Sequence, residues 1–183
     1  MSFQPTLTGL TLCPTPKPAT CPQDLWSFPD ISPEARQRHA RALGQAGEAL
    51  CDSLLLRYGL LPMVPPDHLP FDRLLTAGDL TARVQIKTTA LPTAGTWNFS
   101  LKKGYQGSPG GTRAYAPGDF DIAALVCLSA NTIIFTTQTG PWFRFSEAEV
   151  AAAARDPRAT LEQSLEGLGL TPPPSLPCLQ IAA

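Results

Sequence analysis

Residues 120–128 read FDIAALVCL, an apolar run interrupted only by Asp121. A run of that length without alternation is what a strand buried on both faces requires. The sheet that holds such a strand needs cover on each side. The helical patterns elsewhere in the chain supply that cover, and the fold class they define is α/β, a mixed central sheet flanked by helices. With 183 residues, 43% hydrophobic and 16% charged, the chain can bury a full core.

The clearest helical pattern is SPEARQRHARALGQAGEALCDSLLLRYG. Ser32 is placed to cap it, Pro33 stands at the first helical position and Gly59 closes it. Leu43, Gly47, Leu50, Leu54 and Tyr58 recur at three and four and form the buried stripe. Glu48 falls roughly 110° from the centre of that stripe, at its border. Strands are expected near Met63–Val64, at 71–75, at 80–88, over TWNFSLKK (96–103), over 120–128 and over NTIIFTTQ (131–138). KGYQGSPGGTRAYAPGD (103–119), rich in glycine, reads as a long mobile loop. Ser146 and Glu149 form a capping box for a helix over SEAEVAAAARD, and a further helix is expected within 157–168.

The 20 prolines crowd both ends. Residues 1–31 read as a proline-rich arm, 32–168 as the folded domain and 169–183 as a proline-rich tail, the arms suited to binding a protein partner. The five cysteines lack C-x-x-C spacing, which argues against a zinc site or a disulfide framework; Cys51 and Cys127 fall in apolar stretches as small core residues. No run is long enough for a membrane span and no signal peptide is apparent, so a cytoplasmic location is expected. Net charge is −1, but residues 73–113 hold six cations against one acid, +5, leaving −6 for the rest. That separation favours a local phosphate-binding surface.

Strand alternation gives the sharpest functional signal. In DLTARVQIK, Thr81, Arg83, Gln85 and Lys87 point to one face, with Gln85 and Lys87 about 6 to 7 Å apart. A turn at Ala77-Gly78 sets Leu75 opposite Leu80 and Asp72 opposite Arg83, which puts Asp72 on the face of Gln85 and Lys87. Phe71, Leu75, Leu80, Val84 and Ile86 make the other face, where Arg73 is anomalous. A carboxylate, an amide oxygen and an ammonium thus share a patch that Glu48 can reach. Such oxygen donors suit Mg²⁺ or Mn²⁺. A hard cation beside a lysine suits phosphoryl chemistry.

Helix Glu48, FD at the start of a strand and VQIK on the next strand together resemble the PD-(D/E)XK nuclease superfamily, in the homing and restriction-type branch that carries Gln in the (D/E) position. The likeness spans about residues 45–135. It implies a restriction-endonuclease-like fold and Mg-dependent endonuclease activity on DNA, with metal-activated water leaving a 5′-phosphate. Glu48, Asp72 and Gln85 would hold the metal, the Ile86 carbonyl would complete its coordination, and Lys87 would serve the nucleophile. It also implies a homo-oligomer, since cutting two strands needs two sites. Arg83, Lys102, Lys103 and Arg113 would meet phosphates, with Tyr105 and Tyr115 stacking on bases.

Plainer roles stay open for each residue: an Asp72–Arg83 salt bridge across the hairpin, Lys87 as an edge-strand guard, Glu48 solvated on its helix. Neutral Gln85 leaves open a nucleic-acid-binding or assembly module that kept the fold without cleavage.

Overall fold

A computed structural model describes residues 24–77, 79–104 and 111–171; the proline-rich stretches at 1–23 and 172–183 lie outside the described residues. The chain divides into two units, one ending at Arg38 and one beginning at His39. In the first, Asp24 caps a 3-10 turn at Leu25–Ser27, and Ser32 caps helix α1 (Pro33–Arg38) by accepting from Ala35 N–H at 3.2 Å. The helix expected to run unbroken from Ser32 to Gly59 is divided at His39. The backbone of His39 (φ −103°, ψ 17°) leaves the helical well and its carbonyl opens α2 (Ala40–Arg57). Neither glycine nor proline marks that break.

The second unit is built on a five-stranded sheet. Its strands are β1 (Leu61–Met63), β2 (Arg73–Ala77), β3 (Leu80–Thr89), β7 (Ile122–Cys127) and β8 (Thr132–Thr136), adjacent in that order. The β3–β7 pair is parallel and the others antiparallel, so the sheet is mixed. β7 is buried along its whole length, as its unbroken apolar run demands. Two short ribbons complete the β structure: β4 (Thr96–Ser100) with β9 (Trp142–Ser146), and β5 (Lys102–Lys103) with β6 (Arg113–Ala114). The segment expected as one strand over 96–103 is therefore two, and part of the expected loop pairs as β6. β9 follows Gly140-Pro141, and its WFRFS alternation had not marked it as a strand. The capping box at Ser146 forms as expected and opens α3 (Glu147–Arg155), while α4 (Ala159–Gly167) lies within 157–168. Both helices pack against β8.

The register of the β2–β3 hairpin differs from expectation by two residues. Ala77 faces Leu80 and Leu75 faces Ala82, because the turn falls one residue later than Ala77-Gly78. A slip of two preserves parity, so the face assignments of β3 stand.

The two faces are distinct. One carries Val84, Ile86 and Thr88 under α2; the other carries Gln85 and Lys87 beside Ala123, Leu125 and Cys127. The second face belongs to a core that includes Trp97, Phe99, Phe120 and Val150. Phe71 packs against that cluster rather than sharing the face of Leu75, Val84 and Ile86 as expected, because it precedes β2 and does not follow the strand's alternation. Cys51 and Cys127 are free and buried, in line with their apolar settings.

α2 meets β3 at Gly47. A methyl group built there would lie 2.0 Å from Thr88 Oγ1 and 2.9 Å from Thr88 Cβ, closer than any packing allows. Gly47 thus fixes how near the helix sits to the sheet, and with it the reach of the next residue, Glu48. Gly47→Ala is expected to destabilise the chain by about 2 kcal/mol through overpacking. Thermal melts should show a drop of several degrees, partly recovered by adding Thr88→Ala. An unchanged melting temperature would refute the contact.

Candidate active site

Asp72 is held in place at its backbone and its carboxylate. Its N–H donates to Val84 carbonyl at 2.9 Å, extending the β2–β3 ladder by one residue, and its own carbonyl accepts from Arg73 Nη1 at 2.7 Å. Its Oδ2 accepts the Ile86 N–H at 2.7 Å and a hydrogen bond from the Gln85 carboxamide nitrogen. That nitrogen also reaches the Ile86 carbonyl at 3.2 Å. Asp72 Oδ2, the Ile86 carbonyl and the Gln85 head therefore converge on one point. Gln85 is 4% exposed.

Two hollows meet at Asp72. One, of about 360 Å³, is lined by Asp72, Gln85, Lys87, Lys102, Arg113 and Tyr115, among others. The second, of about 350 Å³, has Glu48, Phe71, Asp72 and Arg73 in its wall. Glu48 and Lys87 thus line different hollows, with Asp72 in the wall of both. His68, a loop residue with no partner in the sequence pattern, lines the first hollow.

The electrostatics of the first hollow are those of two ions partly removed from water. Burial pushes the Asp72 carboxyl above its ordinary value; the Ile86 N–H and the Lys87 charge pull the other way, and Glu48 adds to the rise. Lys87 is pushed below its ordinary value by burial, against the attraction of Asp72. Lys87 Nζ donates to the Lys102 carbonyl at 3.3 Å and sits 5.6 Å from the centre of the Tyr115 ring. The Lys103 ammonium lies 5.2 Å from the same ring, which meets Phe120 edge-on at 5.1 Å. The ring of Tyr115 is thus part of the wall behind Lys87. Burial, with Asp72 and Asp119 nearby, raises its phenol.

Arg73, anomalous in the sequence pattern, is explained by α2. Its Nε and Nη2 donate to the two oxygens of Asp52 at 2.8 and 2.9 Å, and Nη2 also reaches Glu48 Oε2 at 3.1 Å. It is 7% exposed. Glu48 and Asp52 are four apart on one face of α2, so both carboxylates reach the one guanidinium.

The remaining cations divide. Arg83 is committed to Asp121, with Nη2 to Oδ1 at 2.7 Å and Nε to Oδ2 at 2.9 Å, and also donates to the Gly118 carbonyl. It does not pair with Asp72. Lys103 pairs with Asp119. Lys102 and Arg113 line the hollow without a carboxylate partner among the described residues. Much of the +5 of residues 73–113 is therefore balanced by acids from outside the segment. Tyr105 lies outside the described residues.

Hard oxygen donors fit a divalent ion of the Mg²⁺ class here: Asp72 Oδ2 and the Ile86 carbonyl already converge on the Gln85 carboxamide. Among the described residues no group of three acidic, His or Cys side chains forms a ready-made metal cluster. Any such site would draw on the Ile86 carbonyl and the Gln85 amide as well as carboxylates.

The fold is a mixed α/β sheet flanked by helices that sets an acid, an amide and a lysine on one polar face. It is similar to that of a bacterial homing endonuclease, I-Ssp6803I, whose solved structure matches over 58% of this chain and 78% of that one, with a TM-score of 0.51 and 16% identity. No protein-family model matches the chain, and no curated protein does. No helix among the described residues is long and apolar enough to cross a membrane.

Two outcomes are expected. Arg73→Met leaves the part-exposed Asp52 carboxylate without its partner and should cost about 1 to 2 kcal/mol in urea unfolding; no measurable loss would refute the clamp. The second concerns pH. A raised folded pKa means that Asp72 favours the fold below its unfolded value, and that this contribution is lost as pH rises through the folded value. Lys87, depressed, contributes fully only above its unfolded value and loses that as pH falls through the folded one. At pH 7 the ionised Asp72 is thus unfavourable, and in EDTA Asp72→Asn should melt above wild type. The gap should narrow as pH falls and the wild-type carboxyl takes up a proton; an Asn variant that melts no higher at pH 7 counts against it.

Proposed function

We propose that the chain is a metal-dependent endodeoxyribonuclease of PD-(D/E)XK type. The observation that carries this reading is the convergence of Asp72 Oδ2, the Ile86 carbonyl and the Gln85 carboxamide, with Lys87 two residues along the same strand face. Asp72 and the Ile86 carbonyl would hold Mg²⁺ or Mn²⁺, with Gln85 turning its carboxamide to present Oε1 in place of its N–H groups. Glu48 supplies the second negative charge from the adjoining hollow. It is the replaceable partner of Arg73, since Asp52 alone engages both Nε and Nη2. When bound, the ion supplies Lewis acidity towards a water and the phosphate. Burial in this site, which makes both Asp72 and Lys87 costly as ions, makes a divalent charge beside Asp72 favourable in return.

The chain's own residues do the rest. Lys87, backed by the Tyr115 ring and tethered to the Lys102 carbonyl, orients the attacking water and stabilises charge developing on the phosphate. Lys102 and Arg113 seat the flanking backbone phosphates at the rim. Hydrolysis breaks the P–O3′ bond and leaves a 5′-phosphate. Two such chains in a homo-oligomer would cut both strands.

Plasmid nicking in Mg²⁺ checks this. The wild-type chain should nick, EDTA should abolish nicking, and Asp72→Ala and Lys87→Ala should each lose at least about two orders of magnitude. DNA binding that survives Lys87→Ala, with no metal-dependent nicking by the wild type, would instead identify a binding module on the same fold. Equal nicking by both variants would overturn the assignment.

A further inference from the structure

We propose that the β4–β9 ribbon is a sequence-reading element that enters the major groove of duplex DNA, with Arg144 and Asn98 contacting base edges. The inference takes DNA as the partner from the reading above and adds a second surface to it.

The ribbon has two unlike faces. Trp97, Phe99, Phe143 and Phe145 point inwards and pack in the core, with Phe99 and Phe145 in edge contact at 6.2 Å. The outer face pairs Asn98 with Arg144 and Ser100 with Trp142. An antiparallel ribbon of two strands, about 5 Å apart, fits a B-DNA major groove about 12 Å wide. Anchored aromatics on its inner side make it a rigid presenter.

The outer residues carry the chemistry of base readout. Arg144 is exposed and has no ion pair among the described residues, so its guanidinium fork is open to the O6 and N7 of guanine. Asn98 spends one N–H on the Thr96 carbonyl at 3.2 Å, which leaves its Oδ1 and second N–H for adenine. Trp142 is 57% exposed on that outer face, and the Lys102 ammonium lies 4.9 Å from its ring centre. Glu149 is engaged by Ser146 in the capping box, while Glu147 follows Ser146 directly, its N–H donating to the Gly95 carbonyl at 3.3 Å at the end of the ribbon away from Trp142.

The ribbon is continuous with the candidate active site. Lys102 both lines the hollow and meets Trp142, and Thr89 at the end of β3 donates to the Asn98 carbonyl at 2.7 Å. Arg144 stands two residues from Trp142, about 7 Å along the strand, or roughly two base-pair steps. A duplex with a phosphodiester in the hollow would therefore present its neighbouring bases to the ribbon.

The test is selection of bound duplexes from a randomised pool by the full-length Lys87→Ala chain in EDTA, so that cleavage plays no part in the readout. A base preference should emerge. Arg144→Ala should reduce it about tenfold at one position. Arg144→Lys should do the same, because a point charge keeps a phosphate contact but loses the bidentate fork. Asn98→Ala should relax a neighbouring position. A motif unaltered by Arg144→Ala, a pool bound without any preference, or no duplex binding at all would each overturn the inference. Nicking by the wild type alongside an unaltered motif would remove the ribbon's role and leave the nuclease standing. A motif lost in Arg144→Ala with no wild-type nicking would do the reverse.

Discussion

Arg73 is a guanidinium almost removed from water, and three elements of the site are held through it. It ties β2 to α2 through Asp52 and Glu48, and it binds the carbonyl of Asp72, the residue before it. A buried cation is tolerated only when its donors are matched, so α2 and β2 are fixed relative to one another wherever Arg73 is satisfied. Gly47 fixes the same helix against β3 at Thr88. Between them, these two contacts set where Glu48 and Asp72 can stand. The helix is close because a glycine permits it and oriented because an arginine requires it.

With the backbone so constrained, the polar face of β3 is an unfavourable place for lone ions. Asp72 and Lys87 are both displaced towards their neutral forms by burial. The carboxamide of Gln85 currently satisfies the two oxygens on which a hard cation would draw, those of Asp72 and the Ile86 carbonyl. A neutral amide in that position contributes no charge of its own, so cation affinity would rest on Asp72 and on Glu48 leaving Arg73. Asp52 makes that exchange inexpensive, since it holds Arg73 through two hydrogen bonds without Glu48.

Much of this was legible in the sequence because alternation along a strand is insensitive to a two-residue slip. The expected pairing of Asp72 with Arg83 was wrong in register, yet Asp72, Gln85 and Lys87 still share a face. The central strand was legible for a similar reason, since FDIAALVCL has no polar side to misplace. What could not be read was long-range charge pairing. Arg73 finds its acids 21 and 25 residues upstream, and Arg83 finds Asp121 38 residues downstream. Neither partner is set by local pattern. The break at His39 lacked a helix-breaking residue, and β9 was hidden in five residues whose alternating aromatics only make sense once β4 lies beside them.

The same limit explains why net charge was a poor guide to where a phosphate-binding surface would lie. The segment 73–113 looked basic as a block, but folding brings Asp52, Glu48, Asp119 and Asp121 onto three of its cations. Of the segment's six cations, Lys87, Lys102 and Arg113, all lining the one hollow, keep no ion pair among the described residues, and neither does Arg144 on the ribbon, outside the segment. Attraction for a polyanion scales with the charges that stay unpaired, not with those in the sequence. With half of its six cations paired, the segment offers fewer phosphate contacts than its sequence suggests, so on the proposed reading base contacts of the kind Arg144 and Asn98 can make would carry more of the weight.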